Sequence, residues 1–382
     1  MKFEWEKWIK NPKNIVLLLC IFLSIFISLG TLYYENQAQN KVVYDHLKAL
    51  NDEISPPQNY VGPKDKYKEL QLLDDNGQFS SPNGKEMRKI LLKIVSMLDD
   101  ENIAHSHKRW LEKNKLQNER LHLQQKYLDL GGEKWINETN IKEQLAISTW
   151  LLNRKIPMQN IEIGQKGFYF VYFLLSHWMN YFIIIMIGLF FFDFIPSEYE
   201  RKNYLFLAVQ PLKKSTIFLR KYMLTMIVLI GGMFGFLFVG FTVASIFHGT
   251  GSLAYPMLIK QGTSFHLIPL GEYFLKTVSL QILFMLFSSS LLLLLSKWLK
   301  SGLEVLGLYL AIMLIPNFLE KMIPSLNKVT AWLPFFYMNT NSKILEVNNH
   351  FSSSFYFQFL ILVGWNLILG IIWYWNLEDK HS

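Results

Sequence analysis

Six apolar blocks constrain this chain more than any motif does. They cover residues 15–32, 168–192, 222–247, 273–295, 302–319 and 355–375. Each is close to the roughly 20 residues that a helix needs to cross a bilayer. In hydrocarbon a backbone must satisfy its own hydrogen bonds, and a helix does so within one segment. The pattern predicts an all-α membrane protein with six transmembrane helices. Apolar residues gathered into blocks exclude a soluble enzyme, whose core would draw them from the whole chain.

The segments between the blocks differ in kind. Residues 1–14 place Trp5, Trp8 and Ile9 on one helical face, with Glu6, Lys7 and Lys10 towards the other. That is the pattern of a cytoplasmic interfacial amphipathic helix. Transmembrane helix 1 covers 15–34. A basic segment precedes it, as in a signal peptide, but Ser28-Leu29-Gly30 is not a small-residue cleavage site, so it reads as a retained anchor. Residues 35–167 form a mainly helical extracellular domain between helices 1 and 2. Val42, Val43, Leu47 and Leu50 mark its first helix, stopped by Pro56-Pro57. Met87, Ile90, Leu91, Ile94 and Leu98 mark a second. Trp110, Leu111, Leu116, Leu121, Leu123 and Leu128 mark a third, ended by Gly131-Gly132, and Ile141, Leu145, Ile147 and Leu151 a fourth. Residues 56–84 carry turn signals and read as loop. No strand run stands out in this domain. Transmembrane helices 2–6 fill 168–376, with Pro316 set to kink the outer end of the fifth. The apolar stretch 320–354 suits short helices dipping into the outer leaflet. Residues 377–382 are a cytoplasmic tail.

Charge gives the orientation. The chain is formally +8, and residues 35–167 hold 20 Lys+Arg against 19 Asp+Glu, so +7 lies with the membrane part. Thirteen Lys and Arg fall in short segments on one side and five on the other, outside the large domain. The richer side is cytoplasmic by the positive-inside rule. This puts both termini in the cytoplasm of a multi-pass cell-membrane protein. The basic excess faces membrane lipid, which argues against nucleic acid as a partner. Cys20 is the one cysteine, so neither an intramolecular disulfide nor a cysteine metal site is available.

Residues 195–221, between the second and third blocks, carry the most organised motif. Ser197 and Glu200 form a capping box, and Glu198 and Glu200 set negative charge at a helix N-terminus. Pro211 ends that helix and Ser215 can cap the next. Lys213, Lys214, Arg220 and Lys221 hold the segment on the cytoplasmic side. The order of Glu198 and Glu200, the apolar run 205–207, Gln210-Pro211, Ile217 and Lys221 resembles the coupling segment of type-2 permeases of ATP-binding-cassette (ABC) exporters. Lys202 and Asn203 stand where that family often has glycine. The resemblance also takes in the interfacial helix, the six spans and the apolar loop before the last one. It does not reach residues 35–167.

The resemblance implies a permease subunit that moves a hydrophobic or amphipathic substrate outward: a peptide, an antimicrobial or a lipid-like molecule. It implies a second permease chain, in a homodimer or a paralogous heterodimer, and separate ABC ATPase subunits below. ATP and Mg would sit on the ATPase, with no cofactor on this chain. Segment 197–210 would seat in an ATPase groove. Glu198, Glu200 and Arg201 would make charged contacts there, and Tyr204, Leu205 and Ala208 apolar ones. Pro211 and the basic turn, with Lys221, would pass the motion to spans two and three.

The remaining chemistry is sparse. There is no phosphate loop, no His-Glu-x-x-His and no Gly-x-Ser-x-Gly. His105-x-His107 lacks further metal ligands nearby and reads as solvated, so neither a catalytic nor a metal site is assigned. Spans two, three and six have no charged residue in their interiors, which weakens an ion-coupled carrier. His177 and Asn180 in span two, Gln281 in span four and Asn366 in span six are polar groups in apolar surroundings. They read either as interhelical hydrogen-bond glue or as the lining of a substrate path. A second class also fits: a membrane sensor or immunity protein whose extracellular domain binds a peptide without transport. A membrane-embedded enzyme is disfavoured by the lack of clustered carboxylates or nucleophile–base pairs in the spans.

Overall fold

The computed structural model describes residues 6, 8–51, 82–107, 109–131, 138–193, 196, 214–261, 264–299, 301–322, 332–338, 340–347 and 354–378. It is mostly helical. Five helices are long and apolar enough to cross a membrane: Pro12–Ala38, Gly167–Phe191, Leu219–His248, Leu270–Trp298 and Phe355–Trp373. A sixth apolar stretch, Gly302–Pro316, is shorter and lies inside α9 (Gly302–Met322), which runs on past Pro316.

The first helix, α1 (Pro12–Asn51), is a single 40-residue rod. At 1.5 Å per residue it is about 60 Å long, twice a hydrocarbon core. The helix expected from Val42 to Leu50 is therefore the continuation of the first span and not a separate element. Helix α2 (Pro82–Ser106) already includes Pro82, so the loop expected over 56–84 has yielded to helix by residue 82. With α3 (Trp110–Asp129) and α4 (Glu138–Asn153) it forms a three-helix module. Ile90, Leu91, Ile94 and Tyr127 make its small core. Arg120 forks onto both oxygens of Glu101, at 2.6 and 3.2 Å, in a largely buried pair. The buried face of α3 is more polar than its leucines suggest: Asn114, Gln117 and Gln124 are inside, while Trp110 and Leu111 are exposed. Asn114 donates to the Ile156 carbonyl at 3.0 Å, which explains its burial.

Span two breaks its own regularity. Helix α5 (Gly167–Phe173) passes through a π-turn (Leu174–Trp178) into α6 (Met179–Phe191). Helix α7 (Lys214–His248) packs along it, and Ser215, expected as a cap, lies within the helix. Next comes a hairpin of β1 (Pro256–Gln261) and β2 (Ser264–Pro269), then α8 (Leu270–Trp298). Past α9, a 3-10 turn (Pro334–Met338) and α10 (Thr340–Leu345) tuck Phe336, Tyr337, Met338 and Ile344 into the bundle. The apolar stretch before the last span thus packs on α8 and α9. The two-residue β3 (Glu346–Val347) joins β1 in parallel, giving sheet order β2-β1-β3, and α11 (Phe355–Glu378) closes the chain.

The helices run up and down between two ends. At one end, Lys13 bonds Asp193 at 2.7 Å, and Gly302 lies against Phe192. At the other, Gln165 donates to the Leu32 carbonyl, and the Gly167 and Phe168 amides donate to Gly249 and Thr250. The module and the sheet sit at this second end. Trp150 donates its indole N–H to Ala254, Glu143 pairs with Lys260 at 3.0 Å, and Tyr255 bonds the Gln159 carbonyl.

Candidate functional site

Two regions compete for function, the segment after span two and the polar groups inside the bundle. Glu198, Glu200, Arg201, Tyr204, Leu205, Ala208 and Pro211 lie outside the described residues. The frame on which that segment hangs is described. Span two is described as far as Asp193, and α7 from Lys214 onward. Asp193 is tied to Lys13, whose ammonium also lies 4.6 Å from the Phe192 ring centroid. Trp8 is buried against Phe190, with ring centroids 5.5 Å apart, and its carbonyl accepts from Asn14. Trp8 thus anchors the N-terminal segment to the exit of span two, where an indole at headgroup level is expected. Lys221 is buried on α7, with its carbonyl accepting the Thr225 hydroxyl.

A hydrogen-bonded hub follows on α8. Ser288 meets the Tyr309 hydroxyl of α9 at 2.6 Å, and Ser290 donates to Tyr222 of α7 at 3.3 Å. The Trp373 indole of α11 donates to the Ser290 carbonyl. Successive helical residues point about 100° apart, so consecutive serines reach different neighbours. Tyr222 lies one residue past Lys221, so the first turns of α7 are bonded directly to the hub. Sequence reasoning missed it, although Ser288-Ser289-Ser290 inside a leucine-rich span is a visible polar anomaly.

The predicted path residues separate. Asn180 is turned inward, and its amide donates to the Ser176 carbonyl at 2.9 Å, inside the π-turn. His177 is exposed. The wide turn rotates the two apart, where a regular helix would bring them towards one face. Asn366 donates to Leu283 of α8 and to Leu362 of its own helix, which is the glue arrangement. Gln281 is 1% exposed, and neither amide atom has a hydrogen-bond partner among the described residues. Thr277, one turn away, is buried with it. No hydrogen bond joins His177, Gln281 and Asn366.

His177 is the sharpest of these groups. Its Nδ1 lies 2.7 Å from Ser176 Oγ, and the Ser176 hydroxyl donates to the Phe173 carbonyl at 3.1 Å. A hydroxyl has one proton. Donation from Nδ1–H to Oγ satisfies both contacts, whereas the other tautomer leaves two oxygens facing each other. Phe173 stacks on the His177 ring, with centroids 4.7 Å apart. This pair cannot act as a hydrolytic triad, because no carboxylate orients it among the described residues. Nor do three or more His, Cys, Asp or Glu gather anywhere among those residues to hold a metal.

No family model, no curated protein and no solved structure matches this chain.

Proposed function

We propose that this chain is the membrane-spanning permease subunit of an ABC exporter, driven by ATP hydrolysis on a separate subunit. The observation that carries the reading is where segment 195–221 falls. It joins span two to α7 at the end of the bundle that holds Lys13, Asp193 and Gly302, opposite the module and the sheet. A lever needs firm anchorage on both sides. Asp193 and Trp8 supply it on one side, and Tyr222 with the serine hub on the other.

In this reading the end bearing 195–221 is cytoplasmic and both termini lie there. Glu198, Glu200 and Arg201 meet the ATPase through charge, and Tyr204, Leu205 and Ala208 through apolar contact. Pro211 transmits the movement into α7. ATP and Mg belong to the partner, a second permease chain completes the pathway, and the module at 82–153 faces the cell exterior. The cargo is hydrophobic or amphipathic and moves outward.

The test is purification of the full chain from its own host membrane in mild detergent, with an assay for Mg-ATP hydrolysis. An ATPase subunit is expected to copurify. Glu200→Lys combined with Pro211→Ala is expected to lower substrate-stimulated hydrolysis several-fold while the protein still reaches the membrane. Absence of any copurifying ATPase, or stimulation unchanged in the double variant, overturns the proposal. Tight peptide binding to the module without ATP-dependent movement would favour the sensor.

A further inference from the structure

We propose that Gln281, buried midway along α8 where span two and α10 pack against it, binds the backbone amide of an uncharged apolar peptide. The proposal rests on the exporter reading and selects the peptide among its possible cargoes.

The argument starts from one unmet side chain. Gln281 is 1% exposed and lies eleven residues past Leu270, about 17 Å along the helix. Its carbonyl and its amino group both lack a hydrogen-bond partner among the described residues. Exchanging the N and O of the amide leaves both unmet, so the observation holds whichever way the amide is turned. Buried polar groups are nearly always bonded, and leaving one unmet is costly. The rest of the helix obeys that rule. Ser279, Ser288, Ser289, Ser290 and Ser296, all the serines of α8, are bonded. Asn366, which reaches α8 at Leu283, is bonded twice.

Three elements meet around this amide. Thr340 opens α10, is also 1% exposed, and its hydroxyl has no partner among the described residues either. Helix α10 packs on α8 and on the π-turn of span two. Tyr172 and Tyr273 set span two and α8 in register, with ring centroids 5.4 Å apart. Eight residues further along each helix, Asn180 and Gln281 are both buried, where α6 and α8 are still in contact. Formal charge is missing from all three walls. No Lys, Arg, Asp or Glu occurs in 168–192, 277–296 or 329–342. Glu272 and Lys276, nearer the start of α8, pair with each other at 2.7 Å.

The chemistry of the site selects the ligand. A glutamine amide offers an acceptor and donors side by side. A peptide bond presents the complementary N–H and C=O, so a peptide backbone meets both halves at once. A lipid ester brings acceptors alone and leaves the Gln281 carbonyl unmet. An ion finds no counter-charge. Leu280 and Phe284 beside Gln281, and Met338 before Thr340, are buried and apolar, which suits apolar side chains on the ligand. Of the three walls α10 alone is not part of a span, so entry of a ligand calls for its displacement.

The experiment uses the full chain in phosphatidylcholine nanodiscs. The probe is pentaleucine with an acetyl and an amide cap. Its control is the ester analogue, in which the central amide N–H groups are replaced by oxygen. Saturable binding of the peptide is expected, absent from empty discs and about ten-fold weaker for the ester. Gln281→Leu is expected to weaken peptide binding about ten-fold, and Thr340→Val about three-fold. Gln281→Leu is also expected to melt no lower than the parent, because it removes an amide that nothing in the chain satisfies. A lowered melting temperature would show an amide serving the fold, met by water alone, and overturns the proposal. So does absence of saturable binding, equal binding of the ester, or unchanged binding in Gln281→Leu. The comparison of peptide with ester on the parent chain needs no variant to fold. It needs no ATPase either, so the site can fail while the exporter reading stands, and the reverse.

Discussion

Tyr255 joins the module to the bundle through one hydroxyl, bonded to the Gln159 carbonyl, with its ring edge-on to Tyr169 at 5.3 Å. Burial pushes its phenol from 10 up to about 12. A pKa raised in the folded state leaves stability untouched below pH 10, where both states are neutral. Above that the unfolded chain ionises first, so stability falls as pH climbs from 10 through about 12. Tyr255→Phe should remove this alkaline step, and cost about 1–3 kcal/mol at neutral pH by stranding the Gln159 carbonyl. Thermal unfolding in detergent at pH 8 and pH 11 checks both effects. Glycine gives a second residue-scale contrast. A Cβ on Gly167 would fall 2.9 Å from the Phe241 ring, whereas one on Gly235 would meet nothing within 4 Å. Gly167→Ala is expected to destabilise by about 1–3 kcal/mol, and Gly235→Ala to leave the melting temperature unchanged.

At the scale of elements, one side-chain amide braces the π-turn. Asn180 caps the Ser176 carbonyl where the helical ladder widens. Asn180→Leu keeps the branched four-atom outline and removes that donor, with an expected loss of about 1–3 kcal/mol. A melting curve set beside that of Asn366→Leu separates the effects, because the second variant acts between α8 and α11. The same elements show what was readable beforehand. The three module helices, α2, α3 and α4, follow from their spacing of apolar residues. The buried face of α3 does not, because Asn114 and its polar neighbours are inside for hydrogen bonds that pattern alone cannot display. The hairpin left a faint signal: two six-residue runs flank Gly262-Thr263. Its third strand was not legible, since β1 meets Glu346-Val347 across some 85 residues of chain. The π-turn has no sequence signature. Beside it, Gly240 of α7 leaves room for Leu174 and Phe170.

The whole molecule has two unlike ends, and its direction in the membrane decides how each is used. Contacts fix that the helices alternate, and that the module shares an end with Leu32, Gly249 and Tyr255. The proposed orientation rests on charge: Lys13, Lys214, Lys297 and their neighbours lie at the opposite end, which the positive-inside rule would make cytoplasmic. Together they predict one labelling pattern. In a Cys20→Ser background, a cysteine replacing Lys142 on α4 should react with an impermeant maleimide on intact cells. One replacing Lys297, at the other end of α8, should react only after the cells are opened. Both sites lie on helices at exposed or half-exposed positions, so accessibility is not limited by folding. The reverse pattern would place residues 195–221 outside the cell, beyond reach of ATP, and a lever there would have nothing to drive it.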